Sequence, residues 1–391
     1  MDRRAFLAWE IGAGRGHIVK LAAVAKALKQ RGYTNTACLI HLDFANELAL
    51  HCQSVSACEP LRTHAGEEHR GSTSYGDWLR WHCFDDPLAI RDAVERWRRT
   101  LRTERPSVVI ADQAPCAVLA ARSLSIPAVR MGVPVVMPPA RMPHFPSFIA
   151  GGARENYSEE SMREAVNQAI AGLGIPPLRV FPEVNLADDE IVATVPPFDP
   201  YREWRTHDAV PPLVGDWVEP GERQRGEVFV YLSAHDRFEP TILAAIGTLK
   251  LPVRAVLAGN PEQSTVAAGW RNAIIETGPL PPPEIVRRAR VIVHSGSHGT
   301  SCLGLRAGIP QVTFSRLMEH IFDGQQLESL GVGINLRSSH WTVPGIHHAI
   351  HRAWDDPEMT ERAIAVAGQL SPAFAGDPAE MIADRVATLI N

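Results

Sequence analysis

The stretch Val291-Ile-Val-His-Ser-Gly-Ser-His-Gly-Thr300, continued through Pro310 to His320, constrains the fold of this chain more than any other. Val291 to Val293 is a short β-branched run and reads as a buried parallel strand. Ser295-Gly296-Ser297 is a turn of small residues, and His298-Gly299-Thr300 opens a helix predicted to run to about Ala307. Gly308 supplies its stop, and Pro310 leads into the next strand, which ends near Phe314. A strand, a small-residue turn and a helix N-terminus together make an anion site, because the first N–H groups of a helix have no internal partners. Gly296 and Gly299 allow a phosphate close to the backbone, and the Ser297 and Thr300 hydroxyls add donors. An ordinary β–α turn is the plainer alternative. Glu319-His320 follows the next strand and so lies at the carboxyl edge of the sheet, beside the turn.

The chain opens with a unit of the same kind. Phe6 to Ile11 is strand-like, Gly12-Ala-Gly14-Arg-Gly16-His17 is a turn, and Ile18, Leu21, Ala25 and Leu28 have helical spacing that Gly32 ends. A second strand follows at Thr36 to His41. As a dinucleotide fingerprint the turn has the wrong spacing, G-x-G-x-G-H and not G-x-G-x-x-G, which argues against a dinucleotide oxidoreductase. His17 stands at the mouth of the turn. It reads as a helix cap or phosphate contact, or as a general base, since an imidazole titrating near ~6.5 is suited to removing a proton at neutral pH. Pro106 to Asp112 is a buried strand ending in a carboxylate, which reads either as a helix cap or as a functional group at the sheet edge. Between these elements, Arg62 to Gly76 reads as an exposed polar loop. Trp78, Trp81 and Phe84 form a cluster that is either plain core or the lining of an aromatic acceptor pocket. A helix follows on Ile90, Val94, Trp97 and Leu101, with a solvated Arg-rich face. Gly132 to Pro139 and Pro143-His144-Phe-Pro146 form a Pro-rich loop.

Ser295-Gly296-Ser297-His298-Gly299-Thr300, Gly308-Ile309-Pro310 and Glu319-His320 together resemble the donor-binding motif of the GT-B glycosyltransferases of family 1, in particular their bacterial natural-product branch. Trp9 to His17 looks like the first loop of the same family. The resemblance implies two Rossmann-like doubly wound α/β domains facing across a cleft. It implies that His17 deprotonates the acceptor and that Asp112 pairs with it. It assigns Gly14, Ser233, Ser297, His298, Gly299, Thr300, Glu319 and His320 to the donor, with the last pair on the sugar hydroxyls. It puts the Pro-rich loop beside the acceptor, which makes His144 a candidate contact there with Trp78, Trp81 and Phe84. Two departures bear on the choice of sugar: Ser295 stands where many members have a pyrophosphate-binding His or an Asn, and His320 stands where Gln is usual.

On this basis residues 1–205 are expected to form the acceptor domain, 206–225 a linker, 226–375 the nucleotide-sugar domain, and 376–391 a helix returning to the first domain. The expected reaction is an inverting, metal-independent transfer from a UDP- or dTDP-sugar, as co-substrate and without a cofactor, to a small-molecule acceptor. No Asp-x-Asp is present to hold a divalent metal. A nucleotide-sugar epimerase of the same fold and a non-catalytic sugar-nucleotide-binding partner of another transferase are the alternatives. A net charge of -5 argues against nucleic-acid binding. No apolar run approaches a membrane span, and Glu10 interrupts the apolar start, so neither a span nor a signal peptide is expected. The six cysteines show no metal-ligand spacing and read as buried thiols in a reducing cytoplasm. A homodimer is compatible with the sequence.

Overall fold

The computed structural model describes residues 3–64, 72–148, 157–215, 223–232, 239–258 and 269–390. The chain divides into two compact units, Met1–Leu213 with Gly376–Asn391, and Val214–Ala375.

The first unit is built on strands β1 (Arg4–Trp9), β2 (Thr34–Leu39), β3 (Ser54–Ala57), β4 (Val108–Asp112), β5 (Ala128–Gly132) and β6 (Asp189–Val192). All pairs are parallel and the order is β3-β2-β1-β4-β5-β6. Parallel neighbours need crossover connections, and these are α1 (Arg15–Gln30), α2 (Ala45–Ala49), α3 (Tyr75–Trp81), α4 (Pro87–Glu104), α5 (Pro115–Ser123) and α6 (Glu159–Ile170). With helices on both faces, the central strands are apolar throughout: every residue of β4 and β5 is buried. The order runs outward from β1 to β3 and then restarts at β4, so it reverses between β1 and β4.

The second unit repeats this wiring. Its strands are β7 (Glu227–Leu232), β8 (Val253–Leu257), β9 (Ala273–Glu276), β10 (Ala289–His294), β11 (Gln311–Ser315) and β12 (Gly333–Arg337), in the order β12-β11-β10-β7-β8-β9. The connecting helices are α7 (Pro240–Thr248), α8 (Pro282–Arg288), α9 (His298–Ala307), α10 (Met318–Ser329), α11 (Val343–Asp355) and α12 (Pro357–Leu370). The reversal here lies between β7 and β10. Gly308, with φ 61, ends α9 in the left-handed conformation that glycine adopts without penalty.

A last helix, α13 (Pro378–Ile390), belongs to the first unit. Its Ile382, Ala383 and Val386 join the core that contains Val24 and Leu28 of α1. Asp377 caps it, accepting from the N–H groups of Ala379 and Glu380. Arg31 reaches Asp384 at 2.6 Å, and Arg385 reaches Asp189 at 2.8 Å.

Three local features differ from the sequence expectation. The loop proposed for Arg62 to Gly76 is not exposed at its end: Ser74 and Tyr75 are buried, and a capping box of Ser74 with Asp77 starts α3 there. The strand β3 had no signal, because a four-residue edge strand with polar alternation buries little. Phe84 is a core side chain at 1 % exposure, clustered with Leu79, Ile90 and Val94, and does not line an acceptor surface. Ser233, residues 65–71 of the proposed loop and 216–222 of the proposed linker lie outside the described residues.

Candidate active site

At the reversal point of the first sheet, Trp9 of β1 and Asp112 of β4 are register partners. The chain leaves β1 through Gly12 (φ 96) and Gly14 (φ 106) and enters α1, whose first turn carries His17. The His17 ring stacks on Trp9, with centroids 4.5 Å apart and 16° between planes. Its Nδ1 lies 2.8 Å from Asp112 Oδ2. An ionised carboxylate only accepts, so Nδ1 carries the hydrogen and the lone pair sits on Nε2. One turn further along α1, Lys20 Nζ lies 3.1 Å from Asp112 Oδ1 and 3.0 Å from Oδ2. Asp112 is fully buried and Lys20 is 7 % exposed. Burial alone would raise the Asp112 pKa, but Lys20 and then His17 outweigh it and hold the carboxyl below its ordinary value.

Gly12 is the residue that makes room for this arrangement. A Cβ there would lie 3.0 Å from His17 Nε2 and 2.7 Å from Gln113 Oε1. Those two atoms are therefore within about 6 Å of each other, at one mouth. Gln113 follows Asp112 in a left-handed conformation (φ 49), and its Oε1 is buried with no hydrogen-bond partner among the described residues.

In the second unit, β10 ends at His294 and the turn Ser295-Gly296-Ser297 leads into α9. The Gly296 N–H donates to His294 Nδ1 at 3.1 Å. The hydrogen of that ring must then be on Nε2, which donates to Gln311 Oε1 at 3.0 Å, and Gln311 in turn donates to the Ser301 carbonyl at 3.1 Å. Burial depresses the His294 pKa to about 3, so the ring is a neutral wedge that sets the turn. Gly296 (φ 92) lies against the backbone of His320: a Cβ would come 2.8 Å from the His320 carbonyl oxygen. The turn, the start of α9 and the Glu319–His320 pair in the first turn of α10 are thus brought together.

Ser297 Oγ donates to Thr300 Oγ1 at 3.0 Å. His298 turns back along α9: its Nδ1 lies 2.9 Å from Asp323 Oδ2 and its Nε2 3.5 Å from Cys302 Sγ. Burial disfavours charge on this imidazole, but Cys302 and Asp323 outweigh it and push the pKa up to about 10. Burial raises the pKa of the Cys302 thiol and also that of the Asp323 carboxyl, while His298 opposes the rise in both. The Ser295 and Ser301 hydroxyls and Asp323 Oδ1 are buried without a hydrogen-bond partner among the described residues. Ser295 lies in the turn, Ser301 in α9 and Asp323 in α10, and a buried polar group without a partner calls for a water or a ligand.

Residues 260–388 match the erythromycin biosynthesis protein CIII-like C-terminal domain family. The dTDP-epi-vancosaminyltransferase of Amycolatopsis orientalis is 25% identical over 305 residues, 72% of this chain and 74% of that protein. The vancomycin aglycone glucosyltransferase of the same organism is 25% identical over 236 residues, 56% of each. The chain therefore spans about three quarters of the first relative's length and about half of the second's. Among solved structures, the spinosyn rhamnosyltransferase SpnG complexed with thymidine diphosphate superposes with a TM-score of 0.68 at 17% identity, covering 100% of both chains. The chain is a glycosyltransferase of the GT-B fold, related to enzymes of antibiotic biosynthesis.

The remaining candidate residues of this glycosyltransferase are dispersed. Gly14 is the exposed N-cap residue of α1, in the unit that carries His17, whereas the other described donor candidates lie in the second unit. Trp78 and Trp81 are half-buried and both meet His82 edge-on, at 5.6 and 4.6 Å between centroids. His144 is exposed on the Pro-rich loop. Lys20, Gln113, Gln311 and Asp323 escaped the sequence reading. Lys20 had one available signal, a lysine three residues after His17 and so on the same face of the helix.

Proposed function

We propose that the enzyme transfers a sugar from a dTDP- or UDP-sugar to a hydroxyl of a small-molecule natural-product acceptor, with inversion, using His17 as general base and Asp112 as its partner. The observation that carries this reading is the His17–Asp112 pair, 2.8 Å long and buried where the first sheet reverses its strand order. His17 Nε2 takes the acceptor proton as the acceptor oxygen bonds to the anomeric carbon. The bond to the diphosphate breaks on the opposite face, and the diphosphate leaves with the electron pair. Asp112 stabilises the imidazolium so formed.

The leaving diphosphate would sit at the N-terminus of α9, against the N–H groups of that turn and the Ser297 and Thr300 hydroxyls. The unpartnered Ser295 hydroxyl supports this placement. Glu319 and His320 would hold sugar hydroxyls. The donor class follows the relatives, one named for a dTDP-sugar and one bound to thymidine diphosphate. No divalent metal is invoked, because the sequence offers no Asp-x-Asp to carry one.

The test is product analysis by intact mass and by NMR of the new glycosidic bond, after incubation with dTDP- and UDP-sugars and a panel of aromatic and macrolactone alcohols. Inverted glycoside, with nucleotide diphosphate released only when acceptor is present, is the expected result. Donor epimerised without acceptor, or a product with retained configuration, would refute the proposal.

A further inference from the structure

Lys20 has no part in the base mechanism as written above, yet it is placed on the group that the mechanism depends on. Its ammonium contacts both oxygens of Asp112, at 3.1 and 3.0 Å, while the side chain is 8 % exposed. A lysine in that position fills no apolar need of α1, whose buried positions otherwise are Ile18, Leu21, Val24, Ala25, Ala27, Leu28 and His17 itself. Burying an ammonium is costly unless a counterion is in place, and Asp112 is that counterion.

The charged groups on the neighbouring elements are engaged elsewhere. Arg15 of α1 donates to Glu47 of α2 at 2.8 Å. Glu10, following β1, accepts from Trp97 and from the Cys116 N–H. Arg130 of β5 donates to the carbonyls of Pro138 and Asn185. His41 meets Trp9 edge-on, with centroids 5.6 Å apart. Among the described residues, Lys20 is the cation on Asp112 besides the imidazole.

We infer that Lys20 is a positioning residue for the base: by sharing the Asp112 carboxylate with His17, it keeps that carboxylate ionised in its buried place and weakens the carboxylate's hold on the imidazole proton. His17 then becomes available as a base at a lower pH than a two-membered His–Asp pair would allow. The inference rests on the reading of His17 as the base. The lowered Asp112 pKa agrees with it, since Lys20 is the stronger of the two groups opposing burial.

The test reads the imidazole directly. Protein labelled with 15N-histidine is titrated by NMR, and the His17 signal among the 16 histidines is identified by its loss in His17→Gln. In Lys20→Met, or in Lys20→Gln, which keeps a hydrogen bond but no charge, the His17 midpoint should move up by about 1 pH unit or more. Lys20→Arg should stay near the wild type. The acid limb of the turnover profile should move with the midpoint. An unchanged or lowered midpoint in whichever neutral variant folds would overturn the inference. Unfolding of both neutral variants would assign Lys20 to stability and overturn it equally. A midpoint that moves while the acid limb stays would uphold Lys20 and instead reject His17 as the base.

Discussion

Trp9 and Asp112 occupy one rung of the first sheet, and the ring of one and the carboxylate of the other define two sides of the place where His17 sits. The indole fixes the plane of the imidazole and the carboxylate fixes its rotation and tautomer. Pre-setting both costs nothing at the moment of reaction, which is how a positioned base gains over a free one.

His17→Ala should lower kcat by about 10²- to 10⁴-fold, the usual worth of a positioned base, and leave the dissociation constant of dTDP nearly unchanged. Asp112→Asn should lower kcat less, because geometry survives while charge is lost. It should also destabilise the protein by about 3 kcal/mol or more in urea denaturation, since it strands the buried Lys20 ammonium. Near wild-type turnover in His17→Ala would demote His17 to a cap.

Gly12→Ala places a methyl group against His17 Nε2 and Gln113 Oε1, at a φ of 96 that alanine tolerates poorly. Turnover should fall by about 10-fold or more, a misplaced reacting group being sufficient for such a loss. Donor affinity should not change. Gly12→Ala/Gln113→Ala should recover part of the rate, because it removes the nearer of the two obstacles. Steady-state kinetics on the three variants decides it, and equal rates in single and double variant would argue against a steric cause.

Thr300→Val removes a hydroxyl that accepts from Ser297 and is poised for phosphate. Hydrogen bonds to a charged group suggest a loss of about 10- to 100-fold in affinity for dTDP and UDP by titration calorimetry. Affinities equal to wild type would move the diphosphate away from α9.

Glu319→Ala should separate sugar from nucleotide. Use of the intact donor should drop in kcat/KM while the affinity for the bare diphosphate stays within about 2-fold, as expected for a residue that touches only the sugar. Parallel losses would contradict the assignment.

His294 should make stability depend on acid. Its folded pKa is about 3 against an ordinary 6.5, so between those values the unfolded chain binds a proton that the folded chain refuses. Stability from this group is therefore complete above about pH 6.5 and declines as pH falls toward 3, by at most about 1.4 kcal/mol per pH unit. Urea denaturation from pH 7 to 4 should show that slope diminished in His294→Asn.

Strand ends and glycine turns made much of this legible from sequence. Val291 to Val293 and Val108 to Asp112 are β-branched or apolar runs that are buried on both sides, and the residues just after them fall at the sheet edge by construction. What escaped depends on three-dimensional partners. Lys20 reads as a solvent-side helix residue until Asp112 is seen beside it. Gln113 gives no hint of its positive φ, which reflects the tight exit from β4, where its carbonyl accepts from the Ile11 N–H. His294 and His298 look interchangeable in sequence, yet one is a neutral wedge and the other an ion-pair member, a difference set by Gln311 and Asp323. Ser72-Thr-Ser-Tyr75 has loop composition, and only the Asp77 reciprocal bond turns it into a helix start.

The docking of α13 on α1 means that chain order and unit membership part company at the carboxyl end. Anyone exchanging the second unit for that of a relative, to change the sugar, would with one crossover also import a foreign α13. That helix would have to seat on an α1 it never evolved with, without the Arg31–Asp384 and Arg385–Asp189 pairs that anchor the native one. A chimera that respects this protein needs two splice points, one near Val214 and one near Ala375, so that the last helix stays with its host.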